Sequence, residues 1–181
     1  RGTTHISAID AARNIASLTA TNGEGCGELL PGAGFMLNNM LGEESVNPRG
    51  CDRWRPDRRM SSLMAPSLLL GDGAAIALGS GGSNRIPGAI LQVVCNLVDF
   101  GLDADAAIAR ARLHIEDGAM HREADFPAPG AQALARDFPG HRTFERANMF
   151  FGGVHAAGLD RRGELLAVGD ARRDGVGVVV V

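Results

Sequence analysis

The front of the chain contains two alternating stretches separated by a short polar segment, and this pattern constrains the fold more than any other feature. Apolar and mostly polar side chains alternate in residues 5–9 and again in residues 15–21. A period of two is typical of a half-buried strand. The Asp-Ala-Ala-Arg-Asn segment at residues 10–14 supplies a turn. The pattern therefore predicts a β-hairpin.

The turn also predicts the register of this hairpin. If Asp10 and Asn14 face each other across the turn, counting outward along both strands places Thr3 opposite Thr21. Directly opposite residues of an antiparallel pair have Cβ atoms about 5 Å apart. The two hydroxyl side chains are therefore expected to lie side by side.

Strand and helix patterns are mixed along the rest of the chain. Apolar residues recur at helical spacing after Arg85, and Asp103 is placed to cap a second helix. That second helix is predicted over residues 106–113; strands or hairpins are predicted for residues 34–41, 65–79, 152–169 and, as a buried strand, 175–181. No internal repeat or domain boundary is visible, so residues 1–181 are expected to form a single domain of the α+β class.

Composition excludes several classes of function. The 181 residues are 45% hydrophobic, enough for one core, and the net charge of −3 gives no basic surface for nucleic acid. No apolar run reaches the roughly 18 residues of a membrane-spanning helix. All 18 basic residues are arginine, which excludes a lysine Schiff base and a phosphate-loop lysine. Cys26, Cys51 and Cys95 are too widely spaced to suggest a metal or disulfide framework.

A glycine-rich segment, residues 79–83, lies between a strand that is predicted to end near Leu78 and a helix that is predicted to begin near Arg85. Glycines there can turn main-chain N–H groups inward beside a helix N-terminus, which favours an anion. Such a loop forms either an oxyanion hole or a phosphate nest, but the phosphate-binding pattern requires a lysine that the chain lacks. A plain strand-to-helix loop is the alternative.

Several separate motifs point to one family. The segments "TTHISAID", "SLTATNGEG", "PGAGFMLNNMLGEE", "RRMSSLMAPSLLL", "GSGGSNRIPGAILQVV" and "GDARRDGVGVV" occur in the order and spacing of the γ-glutamyltransferases. The chain resembles the small, C-terminal subunit of that family over essentially its whole length. The resemblance implies an N-terminal nucleophile hydrolase fold, a four-layer αββα sandwich. It also implies autocatalytic cleavage of a precursor, whose larger subunit would complete the fold and the active site.

The resemblance assigns the role of nucleophile to Thr3. Cleavage before Thr3 would leave an α-amino group with a pKa of about 7.7 to 8.0 beside the hydroxyl, as its base. Thr21 matches a hydroxyl that hydrogen-bonds the nucleophile in the family. The resemblance and the predicted register therefore both indicate a contact between Thr3 and Thr21. The printed sequence starts with Arg1 and Gly2 ahead of Thr3, which corresponds either to an uncleaved precursor or to where the numbering starts.

The resemblance also implies a carboxylate site and an oxyanion hole. Ser61 and Ser62 match a serine pair that holds the α-carboxylate of the substrate, with a solvent-exposed turn as the alternative. Gly81 and Gly82 match the glycine pair of the oxyanion hole. Gly82 and Ser83 are an equally good register for the two donors.

Two further residues are matched to substrate binding. Asn22 corresponds to a substrate-binding asparagine if one residue is deleted before it, and an Asn-Gly turn is nearly as good an interpretation. Glu43 falls at the position that binds the α-amino group of the substrate. Better-known members have a glutamine and a pair of aspartates in this region, where the present chain has Met40 and Glu43.

The implied activity is hydrolysis or transfer of the γ-glutamyl group of glutathione and related γ-glutamyl amides through a threonyl acyl-enzyme, with water, an amino acid or a peptide as acceptor. No cofactor and no metal is expected, since the five histidines lack ligand spacing. Met40 and Glu43 keep open an acylase or amidase of the same fold with a glutaryl or cephalosporin-type acyl group. A non-catalytic homologue that is never processed is the third hypothesis.

Overall fold

The computed structural model describes residues 2–23, 25–50 and 53–180; Arg1 and Cys51, named above, lie outside this range. The regular elements of the described residues are, in chain order, β1 (Gly2–Ile9), β2 (Ile15–Gly23), β3 (Ser67–Gly71), β4 (Ala74–Gly81), α1 (Ile86–Val98), α2 (Ala104–Ala109), β5 (Leu113–Glu116), β6 (Ala119–Glu123), α3 (Ala128–Asp137), β7 (His141–Phe144), β8 (Gly153–Leu159) and β9 (Leu165–Val168). Within the described ranges, no helix has the length and apolar character needed to cross a membrane.

The hairpin predicted at the front of the chain is confirmed. Strands β1 and β2 pair antiparallel with Thr3 opposite Thr21, as the turn predicts. At the turn, the main-chain N–H of Asp10 donates to the carbonyl of Asn14 at 3.0 Å. The Asp10 carboxylate accepts the main-chain N–H of Asn14 at 2.8 Å. A bulge between Gly2 and Thr3 interrupts the regular pairing where the hairpin ends.

A four-stranded antiparallel sheet, in the order β3-β4-β8-β9, forms the centre of the structure. It contains both further hairpins that the sequence predicts, β3 with β4 and β8 with β9. Strand β1 packs across β4 and β8, and β2 packs against β4, so the hairpin lies on one face of the central sheet. Two sheets are therefore stacked face to face.

Helix α1 packs against β4 and β8, and α2 packs against α1, β8 and β9; together with the strands they build the core. Its side chains include Ile76 and Leu78 from β4, Val93 from α1, Ile108 from α2 and Val154 from β8. Burial of each aliphatic side chain of this size contributes about 1.5 to 3 kcal/mol. The chain thus supplies a hairpin, a central sheet and a helical layer.

Helix α2 has the predicted capping residue, but it begins and ends earlier than predicted. The Asp103 carboxylate accepts the main-chain N–H of Ala106 at 2.8 Å and caps the helix, as expected. The helix spans Ala104–Ala109 rather than residues 106–113. A glutamine side chain of α1 bonds both the N–H and the carbonyl of Leu113, which holds that residue in the extended conformation of β5.

The sequence does not predict the third sheet, in which β5 pairs antiparallel with β6, and β6 pairs parallel with β7 through α3. These strands are four or five residues long, too short for a clear alternation. Phe144, Phe150 and Phe151 pack together at this sheet with ring centroids 5.0 to 5.2 Å apart. Packing of aromatic rings therefore stabilises this part of the molecule, although its strands show no alternating pattern in the sequence.

The predicted strand over residues 34–41 is wrong. The region contains one isolated bridge, between Leu29 and Met36, followed by a 3₁₀ turn at Met40–Gly42. The amide oxygen of Asn38 accepts the N–H of Met40 at 3.0 Å. This side chain competes with strand pairing for the main-chain donors.

The predicted buried strand over residues 175–181 is also wrong for residues 175–180, the part that is described. These residues form no strand, and Val176 and Val180 are 81% and 86% exposed. The main chain at Gly177 lies against Ala167 of β9 without forming a regular ladder. Apolar composition alone does not make a buried strand where no partner covers it.

Candidate active site

The hydroxyl groups of Thr3 and Thr21 form a hydrogen bond. Their Oγ1 atoms lie 2.8 Å apart, and either can be the donor. The Thr21 hydroxyl also reaches the carbonyl oxygen of Gly2 at 3.2 Å and accepts the main-chain N–H of Gly23 at 2.9 Å. Both threonines are half-buried. Thr21 therefore contacts the Thr3 side chain and the carbonyl of the Gly2–Thr3 peptide bond.

The end of strand β4 lies directly beside Thr3. A Cβ built on Gly81 would lie 2.6 Å from the main-chain oxygen of Thr3, closer than real Cβ atoms come to another heavy atom. Only glycine permits this approach at position 81. The close contact places the predicted oxyanion loop and the predicted nucleophile in one site.

Gly82 has a φ of 138° and precedes the 3₁₀ turn Ser83–Arg85 that leads into α1. A Cβ on Gly82 would lie 2.9 Å from Cα of Gly152, so both the conformation and the space favour glycine. Within the described part of the chain, no acceptor is found for the N–H of Gly82. Ser83 has a φ of 54° and is exposed. The N–H of Gly82 belongs to both predicted donor pairs.

The side chain of Ser80 connects the glycine-rich loop to strand β8. Its buried hydroxyl donates to the carbonyl of Gly81 at 2.8 Å and accepts the N–H of Gly153 at 3.0 Å. Gly153 is also the ladder partner of Gly81. The loop is thus fixed to strand β8 before any ligand binds, which is what preorganised donors require.

His5 is buried between the two sheets. Its Nδ1 lies 2.7 Å from the hydroxyl of Thr19 and its Nε2 lies 2.9 Å from the hydroxyl of Ser7. Burial, with a smaller contribution from the charge of His155, lowers the pKa of His5 to about 4. The sequence analysis did not predict that His5 lies near Thr3, although the two residues are two positions apart on one strand and so share a face.

Two arginines that the sequence analysis did not single out lie beside the oxyanion loop. A Cβ on Gly81 would lie 3.3 Å from Nη1 of Arg173, and the aliphatic stem of Arg173 packs along Gly153. Arg85 donates to the carbonyl of Phe150 at 3.1 Å. Burial and, second, the charge of Arg85 lower the pKa of Arg173. The only sequence signal for Arg173 is its place in the "GDARRDG" segment.

A buried ion cluster holds the segment that carries Arg173. Arg112 contacts Asp170 at 2.7 Å, and Arg172 contacts Glu123 at 2.6 Å and Asp170 at 3.3 Å. All four side chains are at most 9% exposed. Burial opposes ionisation, but the charges of Arg112 and Arg172 help to hold the pKa of Asp170 below its ordinary value. The two carboxylates are thus already paired.

Among the described residues, neither Glu43 nor Asn22 forms a side-chain hydrogen bond with Thr3 or Thr21. Glu43 is half-buried and follows the 3₁₀ turn Met40–Gly42. Its carbonyl accepts the N–H of Asn47 at 2.9 Å, whereas no partner of its carboxylate is found among the described residues. Asn22 is exposed next to Thr21, and its carbonyl accepts the N–H of Gly25 at 3.1 Å.

The two predicted carboxylate-binding serines are exposed. The hydroxyl of Ser62 accepts the main-chain N–H of Met64 at 3.1 Å. Among the described residues, no hydrogen bond joins Ser61 or Ser62 to the hairpin. The structure thus brings together Thr3, Thr21, Gly81 and Gly82, and leaves Ser61 and Ser62 on a separate loop.

Comparison with known proteins gives consistent matches. The family model described as Gamma-glutamyltranspeptidase matches residues 1–180. The chain is 32% identical to the glutathione hydrolase proenzyme of Pseudomonas aeruginosa and 33% identical to an acylase ACY 1 proenzyme of a Pseudomonas species, each over 98% of this chain. It covers 34% and 32% of those two proteins, so the chain spans about a third of the length of the curated relatives it matches.

Comparison with solved structures gives matches of the same kind. The gamma-glutamyltranspeptidase of Pseudomonas nitroreducens, complexed with L-DON, superposes with a TM-score of 0.76 at 31% identity, covering 98% of this chain and 100% of that one. The transpeptidase enzyme CapD of Bacillus anthracis superposes with a TM-score of 0.75 at 28% identity, covering 98% of this chain and 99% of that chain.

The fold of stacked sheets backed by helices is that of the N-terminal nucleophile hydrolases, and the matched structures have the same fold. In this chain, the first strand of the hairpin carries a threonine hydroxyl. Within that class, the family model and the relatives agree on one family. The chain belongs to the gamma-glutamyltranspeptidase family and corresponds to its C-terminal portion.

Proposed function

We propose that this chain is the catalytic part of an enzyme that hydrolyses or transfers γ-glutamyl groups through an acyl-enzyme on Thr3. The observation that carries the proposal is the hydrogen bond between Thr3 and Thr21 immediately beside Gly81. A nucleophile needs a hydrogen-bond partner and a nearby set of oxyanion donors. Thr3 has candidates for both.

Maturation would use the same hydroxyl. Oγ1 of Thr3 attacks the carbonyl carbon of Gly2 and passes its proton to the Thr3 nitrogen, which leaves as a free α-amino group when the C–N bond breaks. Water then hydrolyses the resulting ester, which releases the Gly2 carboxylate and restores the Thr3 hydroxyl. The Thr21 hydroxyl is 3.2 Å from the Gly2 carbonyl oxygen, where negative charge develops in this attack. Its hydrogen bond would strengthen in the transition state.

Turnover would then use the freed α-amino group as the base. Oγ1 of Thr3 gives its proton to that amine and attacks the γ-carbonyl carbon of the donor. The N–H groups of Gly81 and Gly82, or of Gly82 and Ser83, stabilise the tetrahedral oxyanion. The leaving amine takes the proton as the C–N bond breaks. Water or an acceptor amine then releases the acyl group from Thr3 by the reverse sequence of steps.

Glu43 is proposed to bind the α-ammonium of the donor. Its carboxylate is half-buried and has no partner among the described residues, and an ammonium would supply one. Ser61 and Ser62 are proposed to bind the α-carboxylate, and Asn22 to contact the donor from the end of β2. No cofactor or metal is needed for these steps.

A larger subunit from the same precursor is proposed to complete the protein. The relatives are proenzymes of which this chain covers about a third. The outer face of the hairpin is apolar, with Ile6 and Leu18 each 58% exposed, whereas its inner face is polar. A helical layer from that subunit would bury the outer face and supply the fourth layer of the sandwich.

An acylase with another acyl group is the second candidate. The match to an acylase ACY 1 proenzyme is as good as the match to a glutathione hydrolase proenzyme, and Met40 stands in the donor region. The two candidates differ in whether the donor carries an α-ammonium. A γ-glutamyl anilide has this group, and a glutaryl anilide lacks it.

The test is to express the full-length gene product, determine the masses of its chains and measure kcat/KM for both anilides. We expect two chains, with a new N-terminus at Thr3, and a preference for the γ-glutamyl donor. A preference for the glutaryl donor would favour the acylase. A single uncleaved chain without activity would favour the non-catalytic homologue.

A further inference from the structure

We propose that Arg173 lowers the pKa of the α-amino group of Thr3, so that this amine is a free base at neutral pH. The inference rests on the proposed function, because only cleavage before Thr3 creates the amine. An ordinary α-amino group, with a pKa of about 7.7 to 8.0, is mostly protonated at pH 7 and cannot accept a proton. A neighbouring positive charge disfavours the protonated form.

The geometry places the Arg173 guanidinium beside Thr3. One point, the position that a Cβ on Gly81 would occupy, lies 2.6 Å from the main-chain oxygen of Thr3 and 3.3 Å from Nη1 of Arg173. Both groups therefore lie against the same glycine. The Thr3 nitrogen belongs to the same residue as that oxygen, so it lies within range of the guanidinium charge.

Arg173 is held at this position although its charge is not neutralised. Its stem packs along Gly153, and a Cβ there would lie 2.7 Å from Cδ of Arg173. Within the described residues, Arg173 forms no ion pair, and its buried Nε has no hydrogen-bond partner. The charge of Asp170 also acts on Arg173, but this carboxylate is engaged by Arg112 and Arg172.

Among the other charged and titratable groups around Thr3, the Asp170 carboxylate is paired with two arginines, and the Asp174 carboxylate is exposed, so solvent screens its charge. Strands β2 and β4 contain no titratable side chain among their described residues. Those contributed by the remaining elements are His5 from β1, His155 from β8, Arg85 from the turn before α1, and Asp170, Arg172 and Asp174 from the C-terminal segment. Burial lowers the pKa of both histidines, so neither adds charge at neutral pH.

Arg85 strengthens the positive potential at this end of the sheets. Its nearest polar partners are the carbonyl of Phe150 and the amide oxygen of Asn84, and Asn84 in turn donates to Glu116. The Glu116 carboxylate is therefore connected to Arg85 through the side-chain amide of Asn84 and does not pair with it directly. Two guanidinium groups stand beside the oxyanion loop, and Arg173 is the one that contacts the glycine next to Thr3.

The test is the pH dependence of kcat/KM for γ-glutamyl anilide, measured on the matured full-length protein from about pH 5.5 to 9.5. The acid limb reports the pKa of the base in the free enzyme. Arg173→Gln should move that limb to higher pH by about 0.5 to 1 unit. The loss of kcat/KM should accordingly be about three- to tenfold larger on the acid limb than on the alkaline plateau.

Two further variants control for charge and structure. Arg173→Lys keeps the charge and should move the limb by less than half as much. Arg161→Gln removes an exposed arginine from the turn between β8 and β9 and should leave the limb in place. If Arg173→Gln does not mature, Arg85→Gln must move the limb in the same direction by a smaller amount.

An unmoved limb in matured Arg173→Gln, or in matured Arg85→Gln where it replaces it, would overturn the inference. So would a rise in KM that is the same at every pH, since this would show that the guanidinium binds a substrate carboxylate instead. Neither result would affect the proposed role of Thr3. That role fails separately, if a Thr3→Ala protein hydrolyses the same anilide.

Discussion

The main chain of Thr3 packs directly against Gly81, because a Cβ at position 81 would lie 2.6 Å from the Thr3 carbonyl oxygen. This contact joins the first strand of the hairpin to the last residue of β4. It also sets the distance between the proposed nucleophile and the loop that is proposed to stabilise the oxyanion.

Gly81→Ala is therefore expected to damage the site more than the fold. The added methyl group must push Thr3 away, so kcat in the matured protein should fall by about a hundredfold or more, as for loss of an oxyanion donor. Steady-state kinetics with γ-glutamyl anilide measures this. Gly140→Ala, where a Cβ meets nothing within 4 Å, is the matched control. Wild-type kcat in matured Gly81→Ala would remove the loop from the proposed mechanism.

Thr3→Ala should abolish both maturation and turnover, because one hydroxyl is proposed to serve both reactions. Denaturing electrophoresis of the full-length protein should show a single uncleaved chain, and anilide hydrolysis should fall to background. Thr3→Ser, which keeps a hydroxyl at the same position, should recover cleavage. A Thr3→Ala protein that is still cleaved before residue 3, or that still turns over, would contradict the assignment.

Glu43→Gln should discriminate between donors. Loss of the carboxylate leaves the ammonium of a bound γ-glutamyl donor without a partner, so KM for γ-glutamyl anilide should rise by about ten- to a hundredfold. A glutaryl anilide, which has no ammonium, should be little affected. Glu44→Gln, an exposed neighbour, should change neither KM. An equal loss on both donors would show that Glu43 supports the loop rather than the ligand.

His5 should make the protein less stable in acid. The pKa of His5 is about 4 in the folded chain and about 6.5 when unfolded, so below pH 6.5 the unfolded state binds the proton first. The free energy of unfolding should fall by up to about 3 kcal/mol between pH 6.5 and 4, and this contribution is constant above that window. Urea titrations of full-length wild type and His5→Gln at pH 7 and 4.5 measure the difference.

His141→Gln is the control for that experiment, since His141 is exposed and should leave the pH dependence unchanged. His155 acts in the same direction as His5, because burial lowers its pKa too. Some acid sensitivity should therefore persist in His5→Gln. An identical pH dependence in wild type and His5→Gln would show that His5 does not titrate in this window.

Local patterns in the sequence were sufficient for the three hairpins and for the register of the first one. Alternation identifies the strands, and a short turn leaves one way to pair them. That is why the position of Thr3 opposite Thr21 could be predicted from Asp10 and Asn14 alone. The capping residue of α2, Asp103, was identified in the same way from its local sequence.

Long-range packing decided the rest. The apolar run at residues 175–180 reads as a buried strand, yet burial depends on a neighbour that no local pattern reveals. The contacts of Arg173 with Gly81 and of His5 with Gly79 likewise join residues that are distant in sequence. Sequence periodicity reports which face a side chain takes on its own element. Which groups meet there, and hence their charges and pKa values, is determined only when the hairpin, the central sheet and the C-terminal segment pack together.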